Sequence, residues 1–333
     1  MKKLGLIALL VFLAVGFVFA GGQAPAETMT LRYAHMNAPN SAAGMQAAKF
    51  AELVAEKTGG SINIEVYPSS QLGSIQEQGE MVASGAVAVH HTTFGALGSL
   101  YPDLAKLDAP YAYRSVEHLM HVTDVNSEIM KPLNEGLIAA HDVRILYTFY
   151  FGSRNLTTNS EVLKPADLEG MRIRAIPAPV YMATVTGLGA IATPIDWAEV
   201  PTALATGNAQ GQENPIGIIY ANKLYDVQSH IALTNHIMGA EVVVVNETVW
   251  QSLTNQQRSQ ITEAAAEASA YGTALTLESE QTGLQKLRDA GMIVIGPEEG
   301  LQVDAFRTSV QASVKAELGP DYADFYDMVD KIE

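Results

Sequence analysis

Cysteine is missing altogether from the 333 residues. That excludes a disulfide framework, a thiolate zinc site, an iron–sulfur cluster, a lipid-bearing cysteine and a cysteine nucleophile. Cations are scarce too: 20 Lys and Arg face 36 Asp and Glu, a net charge of −16. Nucleic-acid affinity comes largely from cations that neutralise phosphates, so this balance argues against such a partner. No H-E-x-x-H, G-x-S-x-G, P-loop or G-x-G-x-x-G pattern occurs, so the common hydrolytic and nucleotide chemistries lack their markers. Scattered Asp and Glu still leave room for a glycosidase pair. Beyond Ala20 nothing reads as a second membrane-spanning run.

What is present is globular. Hydrophobic residues make up 48% and charged residues 17%, and the length suits about two domains with real cores. Met1-Lys2-Lys3, the apolar run Leu4–Ala20 and the small residues Val18 and Ala20 are the parts of a cleavable secretory signal peptide, residues 1–20. Its alternative is a membrane anchor at the lower edge of spanning length. Cleavage near Ala20 would leave 18 basic residues against 36 acidic, a net −18, on an exported, periplasmic chain with no stable membrane insertion. A linker over residues 21–28 follows.

Short strand-like and longer helix-like patterns then alternate. Ile62, Ile64 and Val66 mark a half-buried strand by period two, and Ala47, Phe50, Ala51 and Val54 mark one helix face. Val242–Val245 reads as a strand covered on both faces, and Met292–Ile295 as a strand entered through Gly291. This rhythm favours an α/β fold with parallel strands. Thr254 to Ala290 contains no proline and opens with a capping box, Thr254 and Gln257. It predicts one helix of some 35 residues, or a hairpin broken at Gly272 or Gly283.

Candidate site residues follow from the same pattern. His90-His91-Thr92-Thr93 closes a short apolar run; on a strand the two histidines face opposite ways and cannot share a metal. Strand ends opening on a crevice are where α/β proteins bind ligands. His118 and His121 have helical metal spacing but no third ligand nearby, so no metal site is assigned. Arg172 and Arg174 alternate in the short strand Met171–Ala175, and Arg154 falls in a loop after the strand Arg144–Tyr150. A guanidinium offers a rigid fork matched to a carboxylate. In so acidic a chain either arginine serves equally well as an ordinary ion-pair partner. Gly211-Gln212-Glu213-Asn214-Pro215 puts polar amides before a proline turn, suited to a pocket wall or merely to a turn.

Taken in order, Tyr67–Gly73, Asp167–Arg174, Trp197-Ala198-Glu199, Gly207–Pro215 and Thr234-Asn235-His236 resemble the extracytoplasmic solute-binding subunit of TRAP (tripartite ATP-independent periplasmic) transporters. The resemblance covers nearly all the chain after the signal peptide. It implies a two-lobed periplasmic-binding-protein fold that closes like a flytrap, with a long inter-lobe helix. Lobe I would comprise residues 29–151 plus about 240–279, and lobe II residues 152–239 plus about 280–333. Arg174 stands at the family's carboxylate-clamping position, Arg154 at a second cleft arginine, Asn214 at a polar contact and Trp197 at an aromatic wall. His35, Asn37, Thr92, Thr93 and Glu77 fall on the other lobe's side of the cleft.

The implied function is capture of a small organic carboxylate, a sugar acid or dicarboxylate before an aromatic or branched keto acid, for delivery to TRAP membrane permease subunits. No cofactor and no catalysis are implied; a secreted carbohydrate-active enzyme is the alternative in another class. Sialate-binding relatives carry an acid and an arginine near Thr93 and Ala96, which argues against sialate here. Pro201 and Gln210 also depart from the family pattern close to the clamp.

Overall fold

In the computed structural model residues 28–332 are described; the expected signal peptide and all but the last residue of the linker lie outside them. Nine strands form one mixed sheet: β1 (Met29–Ala34), β2 (Ile62–Tyr67), β3 (Val89–Thr93), β4 (Val143–Thr158), β5 (Arg172–Ala175), β6 (Ile191–Pro194), β7 (Gly211–Pro215), β8 (His230–Asn246) and β9 (Ile293–Ile295). Their order is β2-β1-β3-β8-β4-β7-β5-β6, with β9 beside β8. The expected parallel pairs are there, β1 with β2 and β3, and β5 with β6 and β7. At the centre, however, β3–β8, β4–β8 and β4–β7 are antiparallel.

β4 and β8 are the long strands, and each serves both halves of the sheet. Glu241–Val245 of β8 pairs with β3, while Arg154–Thr158 of β4 pairs with β7. Between these zones the ladder slips its register at Tyr150/Gly152, where Gly152 meets Gly239. Gly152 has φ +121°, and a Cβ there would sit 2.8 Å from the Pro215 Cβ. Only glycine carries the chain through at that angle. Two sequence expectations are corrected here. Arg154 lies within a strand, not in a loop, because β8 continues to offer partners beyond Gly152. Gly211–Pro215 is a full strand, not a turn, because it fills the gap between β4 and β5.

The β-branched run behaves as its composition predicts. Val242 and Val244 enter one apolar core and Val243 and Val245 the other, so helices cover both sheet faces. The long helix is unbroken over Asn255–Asp289 and capped by Thr254, whose Oγ1 accepts from the Gln257 amide while the Gln257 side chain accepts from the Thr254 amide. Gly272 and Gly283 are contact points, not breaks. A Cβ on Gly272 would lie 2.7 Å from Gln46 of the first helix (Ala42–Lys57), and one on Gly283 would run into Ile216. The helix is also tied to the crossing strand: Glu280 accepts from the Ser153 amide at 2.8 Å and from the Tyr150 hydroxyl at 2.9 Å. Among the described residues no helix is long and apolar enough to cross a membrane.

Candidate functional site

A cleft of about 340 Å³ of atom-free space opens where the two sheet halves meet. One side is built by Met36, Asn37, Ile75, Thr92 and Thr93, the other by Arg174, Ile176, Trp197, Asn214 and Ile218. Phe151, Arg154 and Glu241 reach it from the crossing strands. Strand periodicity explains the placements. Arg172 and Arg174 are two apart on β5 and share a face, but Arg172 lies at the exposed end and donates to the carbonyls of Gly207 and Asn208. Arg174 is 1% exposed.

The two cleft arginines differ in one decisive respect. Arg154 is anchored to a carboxylate through two of its nitrogens: Nε donates to Glu213 Oε2 at 2.5 Å, Nη2 donates to Glu213 Oε1 and to its carbonyl, both at 2.8 Å, and the guanidinium lies 5.2 Å from the Tyr181 ring centre. His236 Nε2 adds a 3.0 Å contact to the same carboxylate. Burial pushes Glu213 up, but the charge and hydrogen bonds of Arg154 and His236 outweigh it and hold the carboxyl at about 2. Arg174 instead donates only Nε, to the Ile195 carbonyl at 2.8 Å, and lies 5.7 Å from the Trp197 ring. Its Nη2 is buried without a partner. Burial lowers Arg174 to about 10, opposed by Glu213 and reinforced by Arg154.

An unpaired buried guanidinium is expensive to fold and becomes favourable only when an anion arrives. Such a group, lining the cleft, is suited chemically to an anion. Trp197 stands in a turn set by Asp196, whose Oδ1 accepts from the Ala198 amide. The other oxygen of Asp196 accepts from the Ile75 amide across the cleft at 3.1 Å. A second cross-cleft bond runs from the Tyr181 hydroxyl to Asp108 Oδ2 at 2.6 Å. Asn214 Nδ2 donates to Gln212 Oε1. Thr92 Oγ1 is buried without a partner, and Thr93 Oγ1 caps the following helical turn.

Two sequence-predicted residues stand away from the cleft surface. His35 lies behind it, fully buried and stacked on His91 at 4.4 Å. Glu77 is corrected: its carboxylate accepts from the Ser74 amide and hydroxyl, both at 2.8 Å, on an exposed helix start. Serving as the second half of a capping box leaves it outside the cavity. His90 and His91 point to opposite faces, His90 toward the Ala34 carbonyl and His91 toward Glu241. Among the described residues no cluster has the makings of a metal site.

Sequence reasoning missed Glu241, which is 1% exposed and held by Asn37 Nδ2 at 2.9 and 3.1 Å and by His91 Nε2 at 3.1 Å. A single acid entering the run Val242–Val245 was the available signal, because a charge beside a fully buried strand needs a purpose. A larger groove, about 1590 Å³, lies beside the C-terminal helix (Pro320–Val329). Its only lysine, Lys106, is already paired with Asp103 at 2.8 Å, so its chemistry gives it no claim comparable to the cleft's.

The sequence profile of bacterial extracellular solute-binding protein, family 7, matches residues 33–318. A solute-binding protein of Roseobacter denitrificans is 32% identical over 301 residues, 90% of this chain and 92% of its own. The C4-dicarboxylate-binding periplasmic protein DctP of Rhodobacter capsulatus is 33% identical over 269 residues, 80% of this chain and 79% of its own. A TRAP periplasmic solute-binding protein structure from Roseobacter denitrificans with bound L-galactonate superposes with a TM-score of 0.85 at 30% identity, covering 92% of this chain and 99% of that one.

Proposed function

From a chain that belongs to bacterial extracellular solute-binding protein family 7, we propose a periplasmic receptor that takes a small organic carboxylate and presents it to the membrane subunits of a TRAP permease. The family is one of binding proteins for transport, so the carbohydrate-active enzyme alternative is set aside. The observation that carries the ligand class is the unpartnered, buried Nη2 of Arg174. Relatives that bind L-galactonate and C4-dicarboxylates agree with an acid as cargo.

Capture is a closure reaction. The lobes, residues 29–151 with about 240–279 and residues 152–239 with about 280–333, would rotate about the Gly152–Gly239 pairing. The bonds from Tyr181 to Asp108 and from Ile75 to Asp196 join the two sides in the closed arrangement. Closure expels water, and an ion pair that contributes little in open solution becomes strong in a low-dielectric site. Arg174 holds the carboxylate, Trp197 walls it, and Asn214, Thr92, Thr93 and Asn37 surround the rest. Arg154, anchored by Glu213 through Nε and Nη2, lines the cleft beside it as a second cation. The signal peptide, cleaved near Ala20, would deliver the chain to that compartment.

A thermal-shift screen against sugar acids, C4-dicarboxylates, keto acids, aromatic acids and amino acids tests the reading. At least one carboxylate should raise the melting temperature by several degrees, saturably and without being consumed. A screen in which no acid shifts the transition overturns it.

A further inference from the structure

We propose that Asp108 is a positioning residue for ligand capture: its carboxyl latches the shut cleft through Tyr181 and takes up a proton as the cleft closes. This rests on the receptor reading, with the lobes divided as above, and adds to it a dependence on pH.

Asp108 ends the helical turn Pro102–Asp108 in lobe I and is 1% exposed. It stands outside the cavity lining, so it acts on the ligand through a neighbour. Its Oδ2 accepts from two donors, each at 2.6 Å. The Gly95 amide, on the short helix Phe94–Leu97, belongs to the same lobe. The Tyr181 hydroxyl, on the helix Pro179–Gly187, belongs to the other. The Tyr181 ring in turn lies against the guanidinium of Arg154, which lines the cleft. Asp108 thus fixes from one lobe a ring that supports a cleft cation in the other.

Gly95 shows how close the two lobes come. A Cβ there would lie 2.6 Å from Tyr181 Cε2 and 2.7 Å from Val180 Cγ1, both across the cleft, against 3.2 Å from Asp108 Oδ2 in its own lobe. Its backbone is helical, so no unusual φ requires glycine. What requires it is the approach of the opposite helix, which exists only when the lobes are together.

The proton follows from where the donors sit. Both use Oδ2, and Oδ1 is buried without a partner. An ionised carboxylate is left short of a donor there, whereas a carboxyl protonated at Oδ1 keeps both existing bonds. The groups around it do not supply the missing donor. Arg154 and Glu213 act on Asp108 with opposite signs, and Glu241 is a further acidic neighbour. Tyr113, Tyr181 and Tyr322 are all held above the ordinary phenol range and stay neutral. On its own turn Lys106 is spent on Asp103. Burial therefore prevails and lifts Asp108 to about 6. With the lobes apart, water reaches the carboxyl and it returns to the ordinary aspartate range. The closed state holds the proton more tightly, so capture strengthens as pH falls through that window.

Calorimetry with L-galactonate, D-galacturonate and D-gluconate, whose carboxyls remain ionised at pH 5 and above, tests the inference on whichever binds most tightly. Wild-type affinity should rise about tenfold more between pH 7 and 5 than that of Asp108→Asn, which keeps an acceptor for both donors and cannot titrate. At pH 6, capture by wild type should take up about half a proton more than capture by the variant, read from the heat in buffers of different ionisation enthalpy. Comparing the two removes the share of Glu241, which titrates in both. Equal pH profiles overturn the inference and leave the receptor reading standing. If Asp108→Asn does not fold, Tyr181→Phe takes its place. Losing a donor at Oδ2 should move the midpoint of the uptake above 6, and an unmoved midpoint counts against Asp108. Gly95→Ala tests the latch geometry separately. It should weaken the acid by about 5- to 100-fold while the ligand-free melting temperature stays at or above that of wild type. Undiminished affinity, or a ligand-free protein destabilised in proportion, means that the lobes do not meet at Gly95 on capture and overturns the latch. Failure of wild type to bind any acid removes the receptor reading together with this one.

Discussion

Replacing Arg174 by Met should make the empty protein more stable and the receptor useless. Folding lowers Arg174 from the ordinary arginine value to about 10, chiefly by burial. At 1.36 kcal/mol per unit, the buried, half-satisfied guanidinium costs the ligand-free fold on the order of 3 kcal/mol. The sign is fixed by linkage: the unfolded chain holds this proton more tightly, so the penalty is constant below about pH 10 and fades only as pH rises above it. Methionine fills most of the volume without the charge, so part of that penalty returns as stability. For a protein of this size about 1 kcal/mol moves the melting temperature by roughly 2–4 °C. The variant should therefore melt a few degrees above wild type without ligand. Binding moves the other way, because losing one partner of a buried charge pair costs roughly 2–5 kcal/mol, or about 30- to 4,000-fold in affinity. Arg174→Lys should also bind poorly, since the fork is lost. Scanning calorimetry without ligand and titration with it read the two effects separately. A variant that melts below wild type and still binds at wild-type affinity would refute the account of Arg174.

Three further outcomes are expected. Glu213→Gln uncovers the buried charge of Arg154 and should destabilise by about 3–5 kcal/mol; because folding holds Glu213 down at about 2, its contribution is present above about pH 4.5 and lost as pH falls toward 2. Urea midpoints against pH should accordingly fall less steeply over that acid range in the variant than in wild type. Trp197 and Trp250 are the two tryptophans, and only Trp197 lines the cleft, so ligand should change the emission of wild type and Trp250→Phe but not of Trp197→Phe. Tyr181→Phe removes a 2.6 Å bond across the cleft and should weaken all ligands by roughly 3- to 15-fold without reordering them, as competition titrations would show.

Much of this was legible in the chain, and the exceptions share a cause. Period-two and helical patterns located β2, the first helix and the long helix, because each buries one face or caps one end using neighbours in sequence. Arg174 was legible from its alternation with Arg172 and from the motif around it. The extent of β4 was not, since Gly152 looks like a strand end until β8 is seen to pair beyond it. Nor could the sequence tell which arginine would be answered by a buried carboxylate. The answer depends on Glu213 reaching Arg154 from 59 residues away and nothing comparable reaching Arg174. Glu77 misled for the same reason inverted: its partner, Ser74, was three residues away and sufficient.

The crossing strands have a consequence for how the molecule must be made. β3 finds its inner partner only in Glu241–Val245, some 150 residues downstream, and the near half of β4, Val143–Tyr150, pairs only with the same late strand. Long-range pairing of this kind folds slowly, because loop closure precedes any reward. A nascent or clipped chain that stops before His230 has no finished half to fall back on; it carries bare edges on β3 and β4. Such edges invite pairing with other chains. Synthesis through residue 246 is thus what covers those edges, and Glu241, at the head of the segment that pairs with β3, also lines the cleft.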